Sequence, residues 1–164
     1  AVNIYDKDNH ALIENKPFLH IKKVNDRDAQ YSGNLKKVTR LMKNIIADMP
    51  EYKKTKAIKL TSYDIAAIAY SMNESLLCSQ YLPLTLLENL RSYLLIISYI
   101  DDRRNSLIVP DESRKIFNNE EKVEALRILY NEVNELAEAV QKAINPLKEK
   151  YDGDVLKNRQ VVFF

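Results

Sequence analysis

Glycine is nearly absent from the chain, and this scarcity limits the possible folds more than any other feature. The 164 residues include two glycines, Gly33 and Gly153. Sandwiches and barrels need many tight turns, and those turns favour glycine because it adopts positive φ without a steric penalty. A chain so poor in glycine is therefore predicted to be mostly α-helical, folded as a helical bundle.

Two helices are predicted in the first half of the chain. The stretch "SGNLKKVTRLMKNIIADMP" is typical of a helix that Ser32 or Asn34 caps and Pro50 ends. The stretch "KLTSYDIAAIAYSM" predicts a second helix, capped by Thr61 or Ser62. The apolar face of the first helix consists of Leu35, Val38, Met42, Ile45, Ile46 and Met49.

Two more helices are predicted in the second half. Leu84–Asp102 is apolar on nearly all sides, which predicts a position at the centre of the fold, with Pro83 as its first residue. Asn119–Asn145 carries an apolar stripe too wide for a coiled-coil seam, which favours packing inside the bundle over the alternative of a coiled-coil dimer. That stripe is Leu126, Leu129, Tyr130, Val133, Leu136, Ala137, Val140, Ala143 and Ile144.

The remaining segments are predicted to be irregular or short. Residues 1–31 form a β and loop segment, with a hairpin-like turn at Asp6–His10 and a polar loop at Asn25–Tyr31. The stretches "EYKKTKAIK" and "DDRRNSLIVPDESRKIFNN" are predicted loops. We thus divide the chain into this first segment, a helical bundle at 32–150, and a tail at 151–164 that could add a short strand.

Charge and cysteine content favour a cytoplasmic protein without a membrane partner. Lysine and arginine number 25 against 23 acidic residues, so net charge does not demand a nucleic-acid partner. The single cysteine, Cys78, suits a reducing compartment and is predicted to be a core residue. No basic-then-apolar leader opens the chain, so we do not expect secretion. The most apolar run, Leu84–Ile100, is interrupted by polar residues and reads as a buried helix.

Residue patterns for metal binding or catalysis are weak. The three Asp-x-Asp pairs are predicted turn residues: Asp6/Asp8, Asp26/Asp28 and Asp152/Asp154. The two histidines, His10 and His20, together with one cysteine, make a zinc site improbable, and neither histidine suggests a triad. A glycine-rich phosphate loop is also missing. We therefore predict no catalytic and no metal-binding residue in this chain.

The turn that opens the second helix holds the strongest candidate site. Ser62 and Tyr63 could be a plain N-cap and a core tyrosine, or they could contact a ligand. A helix N-terminus carries partial positive charge that suits phosphate, and an aromatic ring can stack on a base. Three cations, Lys36, Arg40 and Lys43, share one face of the first helix, where the alternative is a solvated surface.

Four stretches in order resemble one protein family. "ENKPFLHIKKVNDRD", "GNLKKVTRLMKN", "KLTSYDIAAIAYSM" and "VPDESRKIF" are similar to the C-terminal helical half of cyclic GMP-AMP synthase-like and oligoadenylate synthase-like nucleotidyltransferases, especially the bacterial anti-phage enzymes. The resemblance runs from Asn15 to Ile144. It implies that Lys43 and Ser62 contact the triphosphate of a donor nucleotide and that Tyr63 stacks on its base. Lys36 and Arg40 are further candidate phosphate contacts.

The resemblance also implies what this chain does not contain. Catalysis in that family needs a glycine-serine loop and three carboxylates that hold two magnesium ions, all on a lobe N-terminal to the segment resembled here. We therefore expect Mg²⁺ to be bound by that missing catalytic lobe and this chain alone to be inactive. The parent enzyme would use nucleoside triphosphates, with ATP expected among them, to make cyclic or linear oligonucleotide signals in phage defence.

Two other functions are open at this stage. The chain could be a non-enzymatic helical module that binds a partner protein through its last helix or its basic patch. It could also be an RNA-binding accessory domain with a phosphate-tracking surface. The cations of that surface would be Lys36, Arg40, Lys43, Lys53, Lys54 and Lys56.

Overall fold

The computed structural model describes residues 2–7, 11–78 and 83–162, and over these residues the predicted mostly helical fold is confirmed. Two strands come first, and helices follow to the end of the described chain. The elements are β1 (Val2–Asp6), β2 (Ala11–Asn15), α1 (Pro17–Gln30), α2 (Asn34–Asp48), α3 (Glu51–Ala57), α4 (Ser62–Ser71), α5 (Glu74–Leu77), α6 (Pro83–Tyr99), α7 (Asp101–Asn105) and α8 (Glu120–Val162).

The strands β1 and β2 lie where the sequence indicated a hairpin-like segment. They pair antiparallel, with Val2 opposite Asn15 and Asp6 opposite Ala11. Of the residues that join them, 7–10, the last three, which include His10, lie outside the described residues.

The core forms where α2, α4, α6 and α8 pack together, with α3 against α8. The predicted apolar face of α2 is confirmed: Leu35, Val38 and Met42 are fully buried, and Ile45 packs partly buried against them. Pro83 is the first residue of α6, as predicted. These helices supply most of the buried apolar surface, the dominant favourable term in folding.

The start of α2 is capped in a way that the sequence did not indicate. Gly33 occupies the N-cap position with φ +80°, where glycine is favoured, and neither Ser32 nor Asn34 caps. The Asp28 side chain caps the helix instead, because its Oδ1 accepts a hydrogen bond of 2.9 Å from the Lys36 backbone N–H. The Asn34 side chain donates to the Leu77 carbonyl at 2.7 Å and so ties α2 to α5.

Two predicted loops are helices, and the first five residues of a third predicted loop, Asp101–Asn105, form α7. The segment Asn25–Tyr31 belongs largely to α1, whose buried residues His20, Val24 and Asp28 recur every four positions. Asp26 and Asp28 are therefore helical and not turn residues, and the first 31 residues are not only strand and loop. The wrong prediction followed from the polar composition of the segment, which masked this spacing.

The lysine-rich segment is the second such case. Residues 51–57 form α3, which buries Ala57 and lies along α8. Tertiary contacts with α8 hold this short helix, because isolated helices of this length are unstable in water.

The helix α6 is less central than predicted. It packs one face on α8, but Leu95 and Ile96 are exposed and Tyr99 is 61% exposed. The helix ends at Tyr99, and α7 begins after Ile100. An apolar composition on all sides therefore does not place every side of α6 in the core.

The charged segment between α7 and α8 contributes to the core. The Val109 N–H donates to Arg114 O and the Ile116 N–H to Leu107 O, both at 3.0 Å. This tight return buries Val109 and Ile116 completely, although the sequence around them is charged. We call residues 107–117 the return loop.

The last helix starts where predicted and continues further. It runs past Pro146, so residues 151–162 are helical, and the strand predicted for the tail is wrong. Asp152 and Asp154 are helical too, not turn residues. A proline removes one backbone donor from a helix and can kink it without ending it. Packing inside the bundle is confirmed for Leu126, Leu129, Val133 and Ala137, which are buried within this chain, whereas Leu136, Ala143 and Ile144 of the predicted stripe are exposed.

Two further findings concern the surface. Cys78 is exposed, so its predicted place in the core is wrong. Among the described residues, no helix combines the length and the apolar character that a membrane span requires.

Candidate functional site

The site begins with the cap of α4. Thr61 is the N-cap: its Oγ1 accepts from the Asp64 N–H at 3.2 Å, and the Asp64 Oδ2 accepts from the Thr61 N–H at 3.0 Å. This reciprocal capping box satisfies two backbone donors at the helix start. Ser62 is thus the first helical residue and not the cap, and its side chain is exposed.

Asp64 also joins α4 to two other segments. Its carboxylate is completely buried, and it pairs with Arg114 Nη2 at 2.6 Å and with Lys122 Nζ at 3.0 Å. A buried charge is tolerated when it is paired in this way, and removing one partner destabilises strongly. The opening turn of α4 is therefore fixed to the return loop and to α8.

The side chain of Tyr63 has two close contacts, and the Arg114 guanidinium lies 5.8 Å from its ring centroid. Its ring stacks on the ring of His20, with 3.6 Å between centroids and 21° between planes. Its hydroxyl donates a hydrogen bond to Oδ2 of Asp111. Burial, followed by this bond to a carboxylate, raises the pKa of the Tyr63 hydroxyl. Tyr63 is therefore neither a plain core residue nor a mobile surface residue, because it stays partly exposed at the edge of the core.

Asp111 is a rigid and charged partner for Tyr63. It is 2% exposed and also accepts from the Lys16 N–H at 3.0 Å, the Ser113 N–H at 3.1 Å and the Ser113 hydroxyl at 2.7 Å. Burial alone would raise the pKa of Asp111, but the bonds from Tyr63, Ser113 and Lys16 outweigh it and lower the pKa to about 2. Asp111 is therefore ionised at neutral pH.

His20 forms the other support of Tyr63. It is 5% exposed, and its Nδ1 has no hydrogen-bond partner among the described residues. Burial lowers the pKa of His20, Asp111 opposes this shift, and Arg114 adds to it. The ring is thus neutral at pH 7 and packs on Tyr63 as an aromatic surface. Sequence reasoning gave no role to His20 or Asp111, since no motif links either of them to Tyr63.

The basic candidates lie on the neighbouring helix. Lys36, Arg40 and Lys43 are all exposed on α2, which packs against α4. The Lys36 Nζ lies 3.8 Å from the Asp28 carboxylate. The structure thus places Ser62 and Tyr63 side by side at the opening of α4, and Lys43 as a separate exposed cation on α2.

Two lysines of α3, and Lys59 just after that helix, pair with carboxylates of α8. Lys53 pairs with Glu132, Lys56 with Glu124 at 2.7 Å, and Lys59 with Glu121 at 3.2 Å. Carboxylates of α8 therefore lie beside Lys53 and Lys56, two of the six cations that a phosphate-tracking surface would use. No group of three or more His, Cys, Asp or Glu side chains within the described residues is arranged to hold a metal ion.

Comparison with known proteins shows the family to which this chain belongs. Residues 22–145 match the family described as the cGAS/DncV-like nucleotidyltransferase C-terminal helical domain. The match covers most of the chain, which includes α2, α4 and the return loop. The chain belongs to this family of nucleotidyltransferase domains.

Two individual proteins are similar to the chain in sequence. The chain is 34% identical to the cyclic dinucleotide synthase CdnE of Yersinia aleksiciae over 145 residues, which are 88% of this chain and 38% of that protein. It is 38% identical over 74 residues to a c-di-GMP synthase of Lachnospiraceae bacterium (strain RUG226), covering 44% of this chain and 20% of that protein.

The chain is also similar in fold to a solved structure. The STING-associated CdnE c-di-GMP synthase from Capnocytophaga granulosa superposes with a TM-score of 0.73 at 32% identity, covering 86% of this chain and 45% of that one. The chain thus spans less than half the length of the relatives it matches.

Proposed function

We propose that this chain forms the helical wall of the nucleotide site in a nucleotidyltransferase that makes oligonucleotide second messengers from nucleoside triphosphates. The observation that carries the proposal is the opening turn of α4, where a capped helix start presents an exposed Ser62 beside a fixed Tyr63 ring. This turn lies inside the region that matches the nucleotidyltransferase family. The names of the relatives favour cyclic dinucleotides as the product class.

Three residues would contact different parts of the nucleotide. The hydroxyl of Ser62 and the partial positive charge of the helix start suit the phosphates. Lys43 adds a mobile point charge to them, with Arg40 and Lys36 further along the same helix. The Tyr63 ring offers a stacking surface, a contact that contributes about 1–3 kcal/mol per base in single-strand binders.

The local charge does not oppose phosphate binding. Asp64 and Asp111 place two negative charges near the turn, and Arg114 and Lys122 pair with Asp64. These four charges sum to zero, so the paired groups around the turn add no net negative charge that would repel a phosphate.

The chemical step would require a catalytic lobe that this chain does not provide. In the proposed enzyme, Mg²⁺ held by carboxylates of that lobe would activate the attacking hydroxyl and stabilise the leaving phosphate. We assign no metal ligand to this chain. Its residues bind and orient the donor nucleotide, with ATP as the first candidate.

The test is nucleotidyl transfer by the full-length protein that carries this domain. We expect Lys43→Ala and Tyr63→Ala to lower transfer at least about tenfold, or ~1.4 kcal/mol of transition-state stabilisation. The matched control is Lys54→Ala, which removes a lysine whose Nζ donates to the Ala47 carbonyl. Full activity of a folded Tyr63→Ala protein would overturn the proposal.

The RNA-binding alternative has less support. Its surface would combine the exposed cations of α2 with Lys53, Lys54 and Lys56, and the carboxylate partners of Lys53 and Lys56 on α8 reduce the positive potential of this second group. Salt-sensitive binding to long RNA, with no response to free nucleotides, would favour that alternative.

A further inference from the structure

We propose that Asp111 and His20 are positioning residues that hold the Tyr63 ring for a nucleobase, and that the turn therefore recognises the base by stacking alone. This inference rests on the proposed function. It adds two residues and a statement about specificity: Tyr63 does not donate a hydrogen bond that distinguishes one base from another.

The first support is the bond between Tyr63 and Asp111. The carboxylate uses Oδ2 for the Tyr63 hydroxyl and the Lys16 N–H, and Oδ1 for the two donors of Ser113. With four donors on two oxygens, Asp111 has little freedom to turn. Hydrogen bonds to an ionised acceptor are stronger than neutral ones, so the phenol stays in one orientation.

The second support is the return loop that carries Asp111. Its backbone is closed by the bonds between Val109 and Arg114 and between Ile116 and Leu107, both at 3.0 Å. Val109 and Ile116 anchor it in the core. Arg114 of the same loop reaches Asp64 at 2.6 Å, one residue from Tyr63. The acceptor for the phenol is thus part of a fixed framework that includes the cap of α4.

The third support is the His20 ring. It is almost fully buried and lies nearly parallel to the Tyr63 ring. A stacked ring that cannot move restricts the tilt of the phenol, which the hydroxyl bond alone would allow. Together, the two contacts fix the plane of Tyr63 as well as its direction. A ring fixed in its plane loses less conformational entropy when a base stacks on it.

The consequence for specificity follows from the hydroxyl. Because its proton is donated to Asp111, it is not available to an acceptor on a base, and its remaining in-plane lone pair cannot accept from a base that stacks above the ring. Stacking tolerates every base, since each has a π-face. Selection among nucleotides must therefore depend on other groups of the complete site.

The experiment is a double-mutant cycle in the full-length enzyme, with KM and kcat measured for ATP, GTP, CTP and UTP. The variants are Tyr63→Phe, Asp111→Asn and the combination of both. We expect Asp111→Asn to raise the nucleotide KM by about fivefold, equally for each nucleotide used, with kcat nearly unchanged. In the Tyr63→Phe background the same change should add less than about twofold, because Asp111 acts through the hydroxyl that this background lacks.

The controls separate positioning from folding. Glu112→Gln removes the neighbouring exposed carboxylate, which pairs with Lys23 at 2.8 Å, and should leave KM unchanged. His20→Phe keeps a stacking ring and should retain a KM near that of the wild type, whereas His20→Ala should raise it. If Asp111→Asn does not fold, Tyr63→Phe with the His20 pair still tests the proposal.

Each result that contradicts an expectation identifies which part of the proposal is wrong. Unchanged kinetics of Tyr63→Ala would overturn the proposed function itself. If Tyr63→Ala is impaired but Asp111→Asn raises KM as much in the Tyr63→Phe background as in the wild type, Asp111 does not position Tyr63. If Tyr63→Phe changes the relative KM values of the four nucleotides, recognition by stacking alone is wrong.

Discussion

Thr61 and Ser62 are neighbours with similar side chains, but the structure gives them different parts. Thr61 accepts the capping bond from Asp64, and Ser62 is exposed. We expect Thr61→Ala to lower the free energy of unfolding by about 0.5–2 kcal/mol, and Ser62→Ala to change it little. Urea unfolding of the 164-residue chain measures both. Equal losses in the two variants would contradict the assignment of the cap.

His20 should make the stability of the chain depend on pH. Burial lowers its pKa in the folded state below 6.5, so the unfolded chain takes up a proton at higher pH than the folded chain does. Stability is therefore expected to fall as pH drops through about 6.5 towards the lower pKa of the folded state. His20→Phe, which does not titrate, should weaken this dependence.

Melting temperatures of wild type and His20→Phe between about pH 5 and pH 7.5 test this expectation. His10 is present in both proteins, so its contribution cancels in the comparison. The same slope for the two would show that His20 titrates alike in the folded and unfolded chains.

At the level of residues, the sequence predicts contacts between side chains that are close along the chain. The Thr61–Asp64 cap is visible because its two members are three positions apart. Asp111 lies 48 positions from Tyr63, and no pattern in one sequence connects them. The resemblance to a family indicated Ser62, Tyr63 and Lys43, but not the residues that support them.

Among the elements, α8 is the main support of the fold, since it packs on α2, α3 and α6. Val133 is 0% exposed and Leu136, one turn further, is 36% exposed. We expect Val133→Asp to lower the free energy of unfolding by on the order of 3 kcal/mol, because it buries an unpaired charge. Leu136→Asp is the matched control and should have a much smaller effect.

Chemical unfolding together with a measured molecular mass checks this prediction. The wild type should be a monomer at concentrations where its fold is intact. A wild-type dimer that Val133→Asp separates into folded monomers would support the coiled-coil alternative instead.

The elements that the sequence predicted well carry apolar residues at a regular helical spacing. The helix α2 buries Leu35, Val38 and Met42 at helical spacing, and the pattern is visible without the rest of the fold. By contrast, α3 buries only Ala57 and pairs Lys56 with Glu124, 68 positions away. Contacts at such separations cannot be read from local composition, so α3 was predicted as a loop.

At the scale of the whole molecule, the share of its relatives that the chain matches bears on whether the isolated chain is active. The CdnE relative from Yersinia aleksiciae has only 38% of its length matched by this chain. We expect the isolated chain to leave ATP, GTP, CTP and UTP unchanged in the presence of Mg²⁺ or Mn²⁺. Chromatography of the reaction mixture measures the outcome. Oligonucleotide products that are lost on Tyr63→Ala would show that the chain is catalytically complete.

The exposed thiol of Cys78 has a practical consequence for such measurements. Because the chain has one cysteine and it lies at the surface after α5, a maleimide dye will attach at a single known position without engineering. The same thiol will oxidise during storage and link two molecules covalently. A sample kept without reductant would then appear as a dimer on gel filtration, and reducing agent in the buffer distinguishes that artefact from association through α8.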